Sequence, residues 1–582
     1  MATSSSLPPT SPAITGMVAY QVPRHPAPLD LLLDGIGGLP APPDLFDRLR
    51  DASPDALVRS YPDARGLQAL IAARHGVPPE QVLVTAGGDD ALDRACRAYL
   101  APGRSIVLPT PTFEMIARYA RWAGADIREV PWPGGDWPIE AVLAEVGPNT
   151  TVVAVVSPNN PTGQVISGAA LRQLSAALPG VLLLVDLAYV EFADEDLSAV
   201  VLELPNAVAF RTLSKAWGLA GLRVGYALGP AAAIAALRVA GNPYSVSGPS
   251  LFLAEARITG DAAASQAYIA QVRADRDALT EELRGLGLDA QRSQANFVFA
   301  RSPRAAWVVE GMAGLGIGVR GWPGHPTLGD AIRVNVPGTP AERERVRHAF
   351  RAVLAPEAIL FDADGVLVEV SGSYREAIRA TAAAFGVEVT GADIAAAKAL
   401  GNANNDWVLT RALLLARGVD VSLDVVTDTF ERLYQGEGSS PGLKLTERAR
   451  VDRAYLEGLA ARFRIAMVTG RPRRDADELI EREGWGGLFE VTVVMGDTTP
   501  KPDPAPVQLA LDRLGVRHAW MLGDTVDDVR AARAAGVVPI GIHAPPAEGD
   551  SDAAFAASTT LLTRAGAARV LLSPTSLESL LP

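Results

Sequence analysis

Short apolar runs rich in Val, Ile and Leu alternate with amphipathic stretches along almost the whole chain. A brief apolar run bounded by turn residues reads as a strand, and apolar positions three and four apart read as one face of a helix. On this pattern, strands are predicted at 82–85 (VLVT), 105–108 (SIVL), 152–156 (VVAVV), 181–185 (VLLLV) and 207–210 (AVAF). Helical periodicity fills most of the intervals, for example over 65–75 and 89–100. Strands alternating with helices predict an α/β fold with largely parallel sheets.

A second series opens at AILFD (358–362) and continues with IAMVT (465–469), WMLGD (520–524) and VVPIGI (537–542). The runs that end in Asp362, Thr469 and Asp524 put polar groups where open α/β sheets hold ligands. Between the first two runs lies an Ala-, Leu- and Arg-rich stretch of helical periodicity, read as a helical insertion at about 370–455. A predicted helix over 341–354 meets the second series through APEA alone, too short and too poor in Gly and Ser for a flexible tether. The expected organisation is a loose polar arm over 1–13, a first domain over 14–354 and a second over 356–582, packed closely.

Composition narrows the function classes. A formal charge of -13 disfavours nucleic acid and anionic membrane as partners. No apolar run approaches the ~20 residues that span a bilayer. The start, MATSSSLPPTSP, lacks the basic and apolar regions of a signal peptide. The one cysteine, Cys96, excludes an intrachain disulfide, fits a reducing cytoplasm and sits at a helical core position. None of the six histidines has metal-ligand spacing.

The stretch TLSKAWGLAGLRVGY (212–226) resembles the lysine segment of fold-type-I, class I/II aminotransferases, and most of all their histidinol-phosphate aminotransferase branch. That chemistry needs a lysine that binds the aldehyde of pyridoxal phosphate and later carries a proton, and Lys215 is the candidate. The resemblance implies cofactor-phosphate contacts from Arg223, Thr212 and Ser214, and from the backbone of Gly87, Gly88 and Asp89 in VLVTAGGDD, where a helix begins. It implies that Asp186 pairs with the pyridine nitrogen, that Tyr189 and Asn160 bond the ring oxygen, and that Phe113 stacks on the ring. Tyr61 would reach the cofactor of a neighbouring subunit, which implies a homodimer formed through this half. Arg333, in IRVNVPG, would clamp the substrate carboxylate, and Arg320 would receive a phosphate-bearing tail. The chain departs from the family pattern at Ile36 and Gly37, where Asn and Glu are usual, and at Leu187, where Glu is usual. Substrate closure and turnover are the properties these departures touch.

AILFDADGVLVEV resembles the first motif of the haloacid-dehalogenase superfamily, subfamily IA. It implies that Asp362 attacks phosphorus and that Asp364 protonates the leaving group and then activates water. MVTGRP supplies Thr469 and Gly470 for a phosphoryl oxygen, and TTPKPDP supplies Lys501 to neutralise developing charge. MLGDTVDDV supplies Asp524 and Asp528, which with Asp362 and Asp364 would form the magnesium environment, Asp527 being out of register. An acid at Asp364 favours a phosphatase or phosphoryl transferase over dehalogenase chemistry, and the helical insertion would be a cap that closes over substrate.

Together the resemblances imply a Rossmann-like phosphatase behind an aminotransferase of large and small α/β domains, with pyridoxal phosphate and Mg2+ as cofactors. The expected substrates are a small amino donor and a phosphorylated acceptor, in two consecutive reactions of histidine biosynthesis. Two alternatives stay open: the same chemistries on another phosphorylated or aromatic amino acid, and a phosphatase carried by a non-catalytic aminotransferase-like binding or dimerisation module.

Overall fold

The computed structural model describes residues 10–21, 24–35, 40–50, 52, 55–401, 405–438, 440–544 and 551–582. Ile36 and Gly37 lie outside the described residues, as does the 1–9 portion of the N-terminal arm. Two compact units emerge from the packing. The first comprises residues 1–23, 33–302 and 320–343, and the second 24–32, 303–319 and 344–582.

The first unit is built on a seven-stranded sheet in the spatial order Val82–Thr85, Gly225–Leu228, Ala207–Thr212, Leu182–Asp186, Thr150–Val156, Ser105–Thr110 and Asp126–Pro131. Successive side chains of a strand point to opposite faces. Val153, Val155, Leu183 and Val185 therefore enter one core, and Val152, Ala154, Val156, Leu182 and Leu184 enter another. Burial on both faces explains why these strands read as unbroken apolar runs. Gly225–Leu228 runs antiparallel to both its neighbours. The short stretch from Leu213 to Val224 forms only a 3-10 turn at Ala220–Leu222. A parallel return needs a longer crossover, so the strand comes back reversed. A smaller antiparallel sheet in the same unit joins Arg320–Gly321, Ala331–Asn335, Phe297–Arg301 and Asp289–Ala290, in that order.

The second unit holds a six-stranded sheet in the order Val491–Val493, Arg464–Val468, Ala358–Phe361, Ala519–Gly523, Val538–Ile542 and Arg569–Leu571. Every pairing in it is parallel. Between its first and second strands in sequence lie the helices Tyr374–Ala384, Gly391–Leu400, Asp406–Leu415 and Leu423–Gln435, which form the insertion the periodicity predicts.

The boundary between packed units falls within the helix Pro340–Leu354, between Arg343 and Glu344, and not at the change of motif near 355. Two indoles account for this. Trp520, on a central strand, donates from Nε1 to the Ala352 carbonyl at 2.6 Å. Trp307 donates to the Val353 carbonyl at 3.1 Å and meets Trp520 edge-on, ring centroids 4.8 Å apart. The end of that helix and the helix Ala305–Gly314 are thus drawn into the core of the second unit.

Cys96 is buried, and burial pushes its thiol up to about 12, so it serves as a small apolar side chain. Among the described residues no helix is long and apolar enough to cross a membrane. Truncating Trp520 to Ala removes a fully buried indole together with its hydrogen bond. The expected loss is roughly 3–5 kcal/mol. Chemical denaturation should show it as a lower midpoint for the transition that unfolds the second unit.

Candidate active sites

In the first unit, a cavity of about 240 Å³ opens at the carboxyl ends of the parallel strands. Gly88, Asp89, Phe113, Asn160, Asp186, Tyr189, Thr212, Ser214, Lys215 and Arg223 all line it. The strands Leu182–Asp186 and Ala207–Thr212 deliver Asp186 and Thr212 as their last residues, which is how segments distant in sequence converge. The Lys215 ammonium lies 5.3 Å from the centroid of the Tyr189 ring. Thr212 donates to the Ser214 hydroxyl at 2.8 Å. Arg223 adopts φ 53°, the one positive φ outside glycine among the described residues. It donates to the Asp89 carboxylate at 2.9 Å, and Tyr119 donates to the same carboxylate at 3.1 Å. Gly87 opens the helix Gly87–Tyr99 at φ 81°, and a Cβ there would stand 2.7 Å from Arg223 Nη2. Glycine lets the guanidinium approach the helix start, where unpaired amides favour an anion.

Asp186 is buried, and burial raises its carboxyl from 3.8 to about 7 against the pull of Lys215 and of the Ala188 amide, which donates to it at 3.0 Å. Among the described residues that amide is its only hydrogen-bond donor. A carboxylate short of a cation, an amine, and a guanidinium with two hydroxyls around one cavity fit pyridoxal phosphate. They offer partners to its ring nitrogen, its aldehyde and its phosphate.

Phe113 and Asn160 also line a larger cavity of about 700 Å³, so the two adjoin. Arg333 and Arg320 line this second space, face each other across paired strands and are buried. Arg333 donates to Asn160 Oδ1 and to the Asp34 carbonyl, while among the described residues its Nε has no hydrogen-bond partner, and neither has Arg320 Nη1. Burial pulls the Arg333 guanidinium below its usual range. Leu187 faces the apolar core, its amide bonded to the Phe210 carbonyl. Tyr61 stands apart from both cavities, 80% exposed and stacked on Tyr244 at 4.6 Å. Sequence reasoning passed over Tyr20, Arg118, Arg121 and Trp322 of the larger cavity. The first three come from the N-terminal segment and an amphipathic helix, where no motif marks them.

In the second unit, Asp362 follows the central strand Ala358–Phe361, and Asp524 follows Ala519–Gly523. Asp362, Asp524 and Asp528 bring one oxygen each within 4.8 Å of one another. Lys501 lies among them, 2.6 Å from Asp362 and 2.5 Å from Asp528, and donates to the Val468 carbonyl at 3.0 Å. Burial pushes the Asp362 carboxyl well up and raises Asp524 to about 7, in each case with help from neighbouring carboxylates. Lys501 is raised by Asp362 and Asp528 in spite of its burial. Three carboxylates against one ammonium leave negative charge in excess, and their hard oxygens fit Mg2+. Gly365, at φ 74°, permits the approach: a Cβ there would fall 2.1 Å from Asp524 Oδ2.

The sequence reading also put Asp364 in the metal environment. Its carboxylate instead lies outside that cluster, because Arg471 holds it through Nε at 2.8 Å and Nη2 at 2.6 Å. Asp527 is buried but outside the cluster as well. Thr469 accepts from the Arg471 amide at 3.2 Å, and Gly470 lines a narrow cavity of about 30 Å³ with Asp364 and, from the insertion, Asp406 and Trp407. Arg471 carried its own signal, standing directly after Thr469 and Gly470 in MVTGRP. Its partners Glu447 and Tyr434 carried none.

Comparison with known proteins separates two families along the chain. The family model for class I and II aminotransferases matches residues 37–350, and that for haloacid dehalogenase-like hydrolases matches 356–536. A histidinol-phosphate aminotransferase of Xanthomonas euvesicatoria pv. vesicatoria is 36% identical over 313 residues, which are 52% of this chain and 86% of that one. A histidinol-phosphate aminotransferase 1 of Nostoc sp. is 32% identical over 319 residues, 54% of this chain and 88% of that one. An imidazoleglycerol-phosphate dehydratase of Phytophthora nicotianae is 46% identical over 197 residues, 32% of this chain; the match spans 44%, less than half, of that relative. The crystal structure of histidinol-phosphate aminotransferase from Sinorhizobium meliloti, in complex with pyridoxal-5'-phosphate, shares the fold at a TM-score of 0.53 and 23% identity, covering 60% of this chain and 97% of that one. The chain belongs to the class I and II aminotransferase family and carries a haloacid-dehalogenase-like hydrolase domain behind it.

Proposed function

We propose that this chain is a bifunctional enzyme whose first half, residues 14–354, moves an amino group from glutamate to imidazole-acetol phosphate. Its second half, residues 356–582, then removes phosphate from the resulting histidinol phosphate. The observation that carries this reading is the pairing, in one chain, of an amine-bearing cavity that adjoins two buried arginines with a carboxylate–lysine cluster of phosphatase type. The arginines suit an acceptor with two anionic ends, and the cluster suits the phosphoester that such a transfer would produce.

In the first half, Arg223, Thr212, Ser214 and the amides of Gly88 and Asp89 hold the cofactor phosphate. Asp186 keeps the ring nitrogen protonated, Asn160 and Tyr189 orient the ring, and Phe113 covers it. Bound there, pyridoxal phosphate supplies an electron sink for charge developing on the substrate carbon. Lys215 Nζ would take the proton from that carbon and return it two atoms further along, at the carbon that carried the aldehyde. Arg333 fixes the substrate carboxylate and Arg320 its phosphate. Tyr61, exposed on one subunit, serves the cofactor of the other in a cytoplasmic homodimer.

In the second half, Asp362 attacks phosphorus, and the oxygen released takes a proton from Asp364. Thr469 and the Gly470 amide hold a phosphoryl oxygen, and Lys501 offsets charge at the nucleophile. Water, losing a proton to Asp364, then cleaves the phospho-aspartate. Mg2+, held by Asp362, Asp524 and Asp528, offsets the negative charge shared by nucleophile and phosphate.

Three measurements test these assignments. In the first, glutamate and imidazole-acetol phosphate are supplied together while amino transfer and phosphate release are followed. Lys215→Ala should abolish transfer and the visible band of bound cofactor, and Asp362→Asn should abolish only phosphate release. Hydrolysis of a generic phosphate ester with none of histidinol phosphate would sink the pathway assignment.

The second concerns pH. The folded, cofactor-free chain holds the Asp186 proton more tightly than the unfolded chain does, since the carboxyl moves from 3.8 to about 7. The stabilisation is full below about 4 and is lost as pH rises through about 7. Over that window the wild type should lose stability relative to Asp186→Asn in denaturant titrations, and pyridoxal phosphate should reverse the trend.

The third removes metal. Chelation should stop phosphate release while sparing amino transfer. Asp524→Asn should raise the Mg2+ needed by at least the ~10-fold that follows loss of an outer-shell partner.

A further inference from the structure

We propose that Arg471 is the positioning residue for the proton-transferring Asp364, and that the cap supplies the scaffold on which it does so. The proposal rests on reading the second half as a phosphatase.

Arg471 is fully buried, and its fork is divided between two carboxylates. Nε and Nη2 both donate to the same oxygen of Asp364, Oδ1, at 2.8 and 2.6 Å. On its other side Nη2 reaches Glu447 Oε1 at 2.9 Å and Nη1 reaches Glu447 Oε2 at 3.2 Å. A guanidinium that served only to stitch the cap to the core would be satisfied by Glu447. Converging two donors on one oxygen of Asp364 does something further: it fixes the plane of the carboxyl and leaves Oδ2 to carry the proton. Asp364 lines the narrow cavity together with Gly470, beside the group that would hold the phosphoryl oxygen.

The scaffold comes from both ends of the cap insertion. Tyr434, at the end of its last helix, donates to Glu447 Oε1 at 3.0 Å, and Arg482 donates to Glu447 Oε2 at 2.7 Å. Tyr374, at the start of its first helix, lies with its ring 5.1 Å from the Arg471 guanidinium and 4.4 Å from the Tyr434 ring. Arg471 thus touches the outgoing and the returning strand of the insertion and the reacting carboxyl at once. The fork supplies four bonds in one plane, which the single ammonium of a lysine cannot reproduce.

The chemistry assigned to Asp364 balances over two steps. Oδ2 gives its proton to the alkoxide as the P–O ester bond breaks and the Asp362–P bond forms. Water then bonds to phosphorus, its proton passes to Oδ2, the Asp362–P bond breaks and phosphate leaves. A mispositioned Asp364 slows the first step only when the leaving group needs the proton. It slows the second step for every substrate.

The test compares Arg471→Lys, which keeps the buried charge, with wild type and Asp362→Asn, using p-nitrophenyl phosphate and an alkyl phosphate in Mg2+. Nitrophenolate leaves without a proton. The expected result for Arg471→Lys is a nitrophenolate burst at close to the wild-type rate, then turnover slowed on the order of 100-fold, with phosphate trapped on Asp362 in acid-quenched protein. Alkyl phosphate turnover should fall on the order of 100-fold with no burst. Glu447→Gln, which keeps the shape and one acceptor, should give the same pattern more weakly. Equal losses in burst and turnover, or no trapped phosphate, would overturn the positioning role. Wild-type protein that releases phosphate from neither ester removes the phosphatase reading itself and this proposal with it, so the two failures are distinct.

Discussion

Both sites depend on one constraint: carboxylates gathered at or just beyond the ends of parallel strands sit where burial costs more than the facing protein groups return. Asp362 and Asp528 share Lys501, and among the described residues Asp186 is faced by one donor, a backbone amide, and by a distant ammonium. An uncompensated charge in such a place costs several kcal/mol, so the groups either hold protons or wait for a cation. The upward shifts of Asp186 and Asp524, each to about 7, follow from that burial. Whatever brings positive charge to these carboxylates binds the folded chain alone and stabilises it by mass action. On the proposed function, a pyridinium nitrogen or a divalent ion would meet that need.

The strands that carry these groups were legible because burial on both faces writes itself as uninterrupted Val, Ile and Leu. Val82–Thr85 and Ala358–Phe361 fall within a residue of the predicted runs, as does the helix ending at Leu354. Convergence around the first cavity was legible for another reason: each lining group sits at the end of such a strand or just after it. Packing across distance was not legible. Nothing local marks Gly225–Leu228 as antiparallel, and nothing in the helix before APEA shows that Trp520 and Trp307 will draw its end into the second core. Asp364 shows the same limit at the scale of one side chain. Its spacing from Asp362 implied that both carboxylates meet one phosphoryl group, while its side chain is held by an arginine more than a hundred residues away.

The identities of the cations follow from what each must do. In the proposed function lysine stands where charge moves or is shared: Lys215 beside the Tyr189 ring, and Lys501 bridging Asp362 and Asp528. An ammonium is a point charge with rotatable donors, so it can follow a proton or a phosphoryl group without being tied to one plane. Arginine stands where geometry must not change. Arg223 is set at a positive φ against Asp89, Arg333 is buried against Asn160 and the Asp34 carbonyl, and Arg471 lies between Asp364 and Glu447. Each of these forks is anchored on one side by the protein itself, so the side chain loses little freedom when a ligand or a reacting carboxyl meets the other side.

That anchoring separates these arginines from surface ion pairs such as Arg464–Glu490, whose partners are both largely open to water and which add little to stability. Arg471 and Glu447 are shielded, Asp364 is half-buried, and Glu447 is held below its usual range by Arg471 and Arg482 in spite of its burial. A charge network this deep is weak evidence for stability, because apolar side chains of equal volume would pack there without the desolvation penalty. Its persistence is better explained by what it fixes. On the proposed mechanism, the carboxyl that hands over a proton is aligned by the same group that the two ends of the insertion enclose.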